Sequence, residues 1–361
     1  MSFNDLKIND LKNTLSKLDS LTHPIKKKLT FLGVYSLVCF KNRDFDDFCK
    51  YYKYRLLSEK KNKFYPKTLL NKEIKIEFNS KSIIDSKNKL YWEDEKEKIY
   101  LLDNIDEIDN STKLLIWDDG GIGDFFLQSG LLTLLPKNLN FKIKLNSKID
   151  WVLKNFKKNI VNDDTKYKFT HHTSILQLQS LLKININTYN KNFNHLKSSN
   201  NNYWKDFFKK YKKYNKIGLI IKTETLAKKN IPFSSILELL ELNKGKKFFL
   251  IDLRPEDKAI DYASKNKNLI ILSKIDQTLP FQDTYQIINN LDLLITIDTA
   301  GSHIAGYFKI KTIMLLDSNP HYYWGDFSSD TIFYKNHFII RSEKKNQWKN
   351  AIIELNKKIN L

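Results

Sequence analysis

Cysteine is nearly absent: two residues in 361, Cys39 and Cys49, with no further cysteine or histidine near them at metal-ligand spacing. A disulfide-stapled fold and a structural zinc are thereby disfavoured, and a reducing compartment is expected. Arginine is just as scarce, for of 61 basic residues only Arg43, Arg55, Arg254 and Arg341 carry a guanidinium. Bidentate guanidinium forks perform most base readout, so this shortage argues against a nucleic-acid partner in spite of a formal net charge of +20. Long apolar runs are missing too. The longest, Leu29 to Phe40, falls far short of the roughly 20 residues that span a bilayer. The opening Met1-Ser-Phe-Asn-Asp-Leu-Lys has an acid where a signal peptide needs an apolar stretch. These absences predict a soluble, cytoplasmic protein, at most peripheral to the inner face of a membrane.

What the chain does have is bulk. With 361 residues and 41% hydrophobic content it can bury a sizeable core, enough for two or three domains. Lysine, asparagine and isoleucine are abundant throughout, as codon bias in an AT-rich genome would produce, so the charge need not mark a selected basic patch. It still favours acidic ligands such as nucleotide diphosphates, or an anionic membrane surface.

Apolar residues recur at helical spacing from Asn4 to about Leu57 (Leu6, Leu11, Leu15, Leu18, then Leu32, Tyr35, Leu37, Phe40, Phe48, Tyr52), with Pro24 as a break. Residues 1–57 are read as a helical segment, a degenerate repeat or partner module, and 58–112 as a linker with small strands at islands such as Ile74 to Phe78 and Ile99 to Leu102. The pattern changes at Lys113. Leu114-Leu-Ile-Trp117 reads as a buried strand, Asp119-Gly120-Gly121-Ile122-Gly123 as a tight turn, and Asp124 to Leu135 as a helix. Strands at Phe141 to Leu145 and Tyr167 to Thr170 alternate with helices at Ile149 to Asn155 and Ile175 to Leu182. A second unit repeats the alternation, with strands at Ile217 to Ile221, Lys247 to Ile251, Leu269 to Leu272, Leu293 to Ile297 and Thr312 to Leu316. Helices are expected between them at Pro232 to Leu242, Asp257 to Lys265, Thr284 to Asn290 and Ala300 to Phe308. Such alternation predicts an α/β chain with parallel, helix-covered sheets: one half over 113–212, another over 213–361, and a ligand cleft between them.

The most informative segment is Leu291-Asp-Leu-Leu-Ile-Thr-Ile-Asp298-Thr-Ala-Gly-Ser-His303-Ile-Ala-Gly306. An apolar strand ends in an acid, and small residues then open a helix whose free N–H groups face out of the strand end. That chemistry suits an anion. From pattern alone a second reading stands beside it, in which Asp298 and Thr299 merely cap a helix and His303 is a core histidine.

This segment resembles the nucleotide-sugar site of heptosyltransferases (glycosyltransferase family 9) and of the bacterial glycosyltransferase domains that follow tetratricopeptide repeats, where it is worded close to D-L-V-I-(T/S)-V-D-T-(A/G)-x-x-H-(L/I)-A-G. Upstream, Phe281-Gln-Asp283-Thr284-Tyr-Gln-Ile-Ile-Asn-Asn-Leu-Asp292 is similar to the approach segment of the repeat-associated group, and downstream Lys311-Thr-Ile-Met-Leu-Leu continues the likeness. Tyr323-Trp324-Gly325 stands where that group has Trp-Arg-Trp, so no arginine follows Trp324, and Thr312 stands in place of a usual proline. The resemblance implies a GT-B fold of two Rossmann-like domains. It also implies that Asp298, Thr299, Ala300, Gly301 and His303 bind the donor, with Tyr323 and Trp324 as sugar or acceptor residues. Lys222, Lys228 and Lys229 follow the strand at Ile217 to Ile221, where related enzymes present a basic residue to the diphosphate; as residues alone, in so lysine-rich a chain, they read more often as solvated charges. The last helix, Gln347 to Ile359, is expected to brace the N-terminal half, as in many GT-B proteins.

The glycine loop Gly120, Gly121, Gly123 with Asp124 is similar to the G-x-G-D element of the same families, whose aspartate is the proposed general base. Taken alone, Asp124 reads as a helix-capping acid; its order and spacing relative to the second motif favour the catalytic role. No Asp-x-Asp ends an expected strand, so an inverting transfer without a metal or other cofactor is expected, with the nucleotide-sugar as substrate. Trp117 reads as core, and Trp151 and Trp204 as core or as sugar-stacking platforms.

The sequence therefore points to a glycosyltransferase moving a sugar from a nucleotide-sugar to a glycan, lipid-linked or protein acceptor. Two rivals remain: a non-catalytic sugar-nucleotide or glycan-binding protein of the same fold, and a basic nucleic-acid-binding protein whose affinity would collapse with salt.

Overall fold

The computed structural model describes residues 8–16, 25–55, 89–94, 97–145, 149–161, 167–190, 196, 202–223, 229–318, 320–325 and 328–360. The chain divides into two compact units, Met1–Lys197 and Ser198–Leu361, each built on one sheet of mainly parallel strands with helices, an α/β architecture. No helix among the described residues is long and apolar enough to cross a membrane.

The first unit opens with the helices Ile8–Ser16, Ile25–Lys41 and Phe45–Tyr51, followed by a 3-10 turn at Tyr52–Tyr54. Asp44 caps the third helix, its carboxylate accepting the Asp47 amide at 3.4 Å. Phe48 is the buried hub, with ring centroids 4.8 Å from Phe40 and 4.5 Å from Tyr52. Gly33 lets the long helix close on the 3-10 turn, because a Cβ there would come within 2.7 Å of the Tyr54 and Arg55 backbone. That close approach fixes where Arg55 emerges.

The first sheet holds β1 (Tyr91–Asp94), β2 (Glu97–Leu101), β3 (Lys113–Trp117), β4 (Asn140–Lys144) and β5 (His171–Ser174) in the order β1-β2-β5-β3-β4. Only the β1/β2 hairpin is antiparallel. Leu114 to Trp117 are buried, as a central parallel strand requires. Ile99 and Leu101 of the expected small-strand island lie on β2, and Ile74 to Phe78 lies outside the described residues. β5 departs from the sequence reading, which places the strand four residues earlier. Its His-His-Thr-Ser carries no apolar signal; pairing with β3 on one side and β2 on the other makes it a strand, and Trp117 Nε1 donates to the buried His172 Nδ1 at 3.3 Å. Burial holds the His172 imidazole near a pKa of about 3, neutral. The helix expected from Ile149 is instead two 3-10 turns, Asp150–Val152 and Lys154–Asn159.

The second sheet is wholly parallel. It runs β11-β10-β9-β6-β7-β8, from β6 (Lys216–Ile220), β7 (Lys247–Ile251), β8 (Leu269–Leu272), β9 (Leu293–Thr296), β10 (Lys311–Leu316) and β11 (His337–Arg341). The chain starts at the central β6, winds outward to β8, then returns to β9 on the other side of β6 and winds outward again. The strand order thus reverses between β6 and β9, where the crevice outside the carboxyl ends of such a sheet receives ligands. β11 goes unread in the sequence because only Phe338-Ile-Ile between a histidine and an arginine marks it.

Leu219, Phe248, Ile295, Ile313 and Ile340 line the sheet's core, and the helix Lys349–Ile359 adds Ala351, Ile352, Leu355 and Ile359 to it. The last helix packs its apolar stripe on the second unit's core. A reciprocal clasp precedes β9. Asp276, in the left-handed region at φ 55°, accepts the amides of Asp283 and Thr284 at 2.6 and 3.0 Å, while Asp283 accepts the Asp276 amide at 2.7 Å and the Trp204 indole N–H at 2.8 Å. Asp276 thus satisfies first-turn amides of the helix Gln282–Asn289 from outside it, and Trp204 is buried against the clasp.

Candidate functional site

β9 is buried to its end, and the Ile297 amide makes one last ladder bond to the Ile220 carbonyl at 3.1 Å. The chain then turns at Asp298. Thr299, extended at φ −142° and ψ 171°, is the N-cap of the helix Ala300–Tyr307. Within this turn the Ser302 amide is satisfied by the Thr299 carbonyl at 3.1 Å, whereas those of Ala300 and Gly301 have no acceptor among the described residues. Two unpaired amides and the positive end of a helix therefore meet at the reversal of strand order. Gly301 has a packing role as well: a Cβ on it would come within 2.4 Å of Ile220 Cδ1. A bulky residue there would disturb the core and not only a ligand.

Lys229 arrives from the loop after β6. The Ile231 amide donates to the Ile221 carbonyl at 2.9 Å, and the Thr223 amide to Asn230 Oδ1 at 2.8 Å, which brings the loop back alongside the strand end. Its ammonium pairs with Asp298 at 2.5 Å, where the side chains are 26% and 9% exposed. Burial alone would raise the Asp298 carboxyl; the Lys229 charge and hydrogen bond outweigh it and hold the group below the usual carboxylate range, so Asp298 stays ionised. The charge of His321 helps. The Trp324 indole N–H makes no bond within hydrogen-bond limits among the described residues, yet lies close enough to add to the same stabilisation.

His303 lies one turn into the helix and is buried. Its ring stacks on Trp324, centroids 5.3 Å apart and 17° from parallel, and its Nδ1 is 3.0 Å from the Tyr334 hydroxyl. Burial pushes its pKa down to about 4, Asp298 opposing, so the imidazole is neutral at pH 7. Trp324 is 1% exposed and Tyr323 8%, so both rings belong to the wall behind the site. An arginine reaches this turn from elsewhere in the chain. Arg341, at the end of β11, donates from Nη2 to the Trp324 carbonyl at 2.8 Å and to the Ser328 carbonyl at 3.3 Å.

Of the sequence candidates, Lys229, Asp298, Thr299, Ala300, Gly301, His303, Tyr323 and Trp324 gather here. Lys222 does not: its ammonium donates to the Arg254 carbonyl at 2.7 Å and lies 3.6 Å from Asp252, on the β7 side. Lys228 lies outside the described residues. Sequence reasoning missed His321, Tyr334 and Arg341, which arrive from β10 and β11 loops with no local motif.

Gly120, Gly121, Gly123 and Asp124 belong to the first unit, at the carboxyl end of β3. The Asp124 carboxylate folds back to accept the Gly121 amide at 2.7 Å, capping the helix Ile122–Gln128. The two glycines make room for that, since a Cβ on Gly120 would come within 2.6 Å of Asp124 Cβ and one on Gly121 within 3.4 Å of its Oδ2. Asp119 is fully enclosed. It pairs with Arg55 of the N-terminal helical segment and accepts the Leu176 amide at 3.2 Å; Arg55 also donates to Ser174 Oγ at 2.9 Å and lies over the Tyr52 ring. Arg55 thus ties the loops after β3 and β5, where the order of the first sheet reverses. Among the described residues, three potential metal ligands lie together at Cys39, Asp44 and Asp47, and there Lys12 holds Asp44 at 2.8 Å and Tyr35 donates to Asp47 at 2.5 Å.

No protein-family model and no curated protein matches the sequence. Solved structures do resemble it. A glycosyl transferase of family 9 from Veillonella parvula aligns with a TM-score of 0.44 and 12% identity, over 69% of this chain and 92% of that one. The E. coli heptosyltransferase WaaC with ADP-2-deoxy-2-fluoro heptose aligns at 0.45 and 10%, over 69% and 100%. The iron-containing dodecameric glycosyltransferase TibC from enterotoxigenic E. coli aligns at 0.42 and 9%, over 76% and 83%.

Proposed function

We propose that the chain is a GT-B glycosyltransferase of two Rossmann-like domains, which transfers a sugar from a nucleotide-sugar to an acceptor hydroxyl with inversion and without a metal. The observation that carries the reading is the turn at Asp298: unpaired amides of Ala300 and Gly301, a helix N-terminus and the Lys229 ammonium meet at the strand-order reversal of a parallel sheet. A diphosphate is the ligand such a site suits. Amides and dipole contribute fixed positive potential where negative charge gathers on the leaving nucleotide, and they need no reorganisation as the bond breaks. The ion pair gives Lys229 a second partner to exchange, carboxylate for phosphate.

Asp124 is the proposed base. It sits on the first turn of its helix, where the positive end favours the ionised form that must take the acceptor's proton. Cap and base are compatible roles, because a carboxylate has lone pairs beyond those it gives the Gly121 amide. The acceptor is a glycan, lipid-linked or protein hydroxyl, and the working site is cytoplasmic.

Thermal shift followed by calorimetric titration with UDP-, GDP-, ADP- and CMP-sugars tests the reading. One donor class should raise the melting temperature and bind with one site per chain, and Lys229→Met should weaken it at least tenfold. A protein indifferent to all four would overturn the donor assignment.

A further inference from the structure

Gly306, the last residue of the segment that drew attention in the sequence, has no evident use in binding an anion. It lies on the second turn of the helix, away from the free amides. Its neighbour explains it: a Cβ on Gly306 would fall 2.3 Å from Cδ1 and 2.4 Å from Cε1 of Tyr334. The Tyr334 ring therefore packs directly against the helix at Gly306, in a cradle that any side chain would fill. From that cradle the phenol reaches one turn back along the helix to His303, its hydroxyl 3.0 Å from Nδ1. The same ring packs 4.6 Å from His337, whose Nε2 lies 2.9 Å from the Ser302 carbonyl on the same helix. Tyr334 is thus held from both sides, and its hydroxyl makes this one hydrogen bond among the described residues.

The sense of the bond follows from counting donors. A phenol has one proton to give, and His303 is neutral with one N–H and one bare nitrogen. If the phenol donates to a bare Nδ1, that donor and that acceptor are both used and the ring proton resides on Nε2, which is not among the enclosed atoms left without a partner. If instead Nδ1 carried the proton and donated, the enclosed phenol would keep its own proton unbonded, at the cost of an unsatisfied buried donor. The first arrangement wins. Side chains on a helix lean toward its N-terminus, and the charges of Asp298 and Lys229 both act on this ring. The edge of His303 opposite Tyr334 therefore belongs to the free-amide end.

We propose that Tyr334 is a positioning residue of this site: its hydroxyl holds His303 in the Nε2–H tautomer, so that the ring offers a hydrogen-bond donor to an anionic oxygen of the bound diphosphate. The donor's target rests on the function proposed above; the tautomer does not. Trp324, stacked on the imidazole, keeps the ring plane fixed while Tyr334 fixes the proton.

The full chain labelled with ¹⁵N-histidine tests this by two-bond ¹H–¹⁵N correlation at neutral pH, with His303→Gln to assign the signal. The expected spectrum shows His303 protonated at Nε2 and bare at Nδ1. Tyr334→Phe, which keeps the ring in its cradle, should give a mixture of tautomers and weaken the tightest binder among ADP, UDP, GDP and CDP by about 3- to 10-fold. Gly306→Ala, which forces the ring away, should do the same. A wild-type His303 protonated at Nδ1 would overturn the proposal, as would a Tyr334→Phe protein with unaltered tautomer, or with altered tautomer and unaltered affinity. If the wild-type protein binds none of the four diphosphates, the proposed function fails while the spectrum still decides the tautomer.

Discussion

Lys229 and Asp298 form a nearly enclosed pair, and the two single substitutions are unequal. Lys229→Met leaves a carboxylate with little solvent beside apolar walls, so the second unit should lose on the order of 1–3 kcal/mol; Lys229→Met combined with Asp298→Asn should recover most of it. Urea unfolding of the three variants checks this, and an additive double variant would mean that the pair does not interact. Asp124 poses the opposite case. Asparagine can accept the Gly121 amide as well as aspartate does, so Asp124→Asn should leave stability within about 0.5 kcal/mol while cutting single-turnover transfer by about 10²–10⁴-fold. Near-normal transfer would reduce Asp124 to a cap. Both residues stand out in the sequence because each follows an apolar strand and opens a helix. Tyr334 and Arg341 do not, because what makes them matter is contact with His303 and Trp324, respectively 31 and 17 residues away in the chain.

At the scale of elements, the N-terminal helical segment is joined to the glycine loop by a side chain. Arg55, itself 5% exposed, is the segment's one guanidinium on Asp119, and it meets Ser174 as well. Removing it strands a fully enclosed carboxylate. Arg55→Met should therefore destabilise the first unit by about 3–5 kcal/mol, and adding Asp119→Leu should restore a large part, as replacement of a buried ion pair by apolar groups often does. A chain shortened to begin at residue 58 should show the same defect in the first unit while the second still binds nucleotide; limited proteolysis with nucleotide titration separates the two effects. Equal stability of the shortened chain would show that the Arg55 contact is dispensable. The elements themselves were unevenly legible. β9 and β10 each carry a run of three or more apolar residues and read as strands, whereas β5 is His-His-Thr-Ser and β11 is bounded by polar residues. For those two, neighbouring strands and not local composition select the conformation.

For the whole molecule, buried imidazoles set the response to acid. His172 and His337 are depressed to about 3 and His303 to about 4, in each case first by burial. A depressed folded-state value means that the unfolded chain binds more protons once pH falls below about 6.5. The stability these groups contribute is complete above that pH and is lost progressively down to the folded values. Unfolding free energies from urea titration should therefore fall between pH 7 and pH 4.5, by a total on the order of a few kcal/mol, and the depressed carboxyl of Asp298 adds its own loss only below about pH 4. Replacing His337 by Asn should flatten the profile, and a profile unchanged from pH 7 to 4.5 would contradict the neutral, buried assignment.

The sequence by itself determined the α/β class, the alternation of strands and helices in the second unit, and the turn at Asp298. Each is written in local apolar periodicity or in small residues at a strand end. The tertiary structure decided the rest. It placed Lys229 and not Lys222 on Asp298, because the loop after β6 folds back to pair with its own strand. It used Gly306 as a cradle for Tyr334 and brought Arg341 to the aromatic turn that lacks an arginine of its own. It assigned the last helix to the second unit's core. All of these depend on contacts between residues far apart in the chain, which fix distance and enclosure, and no pattern of neighbours along a chain encodes either.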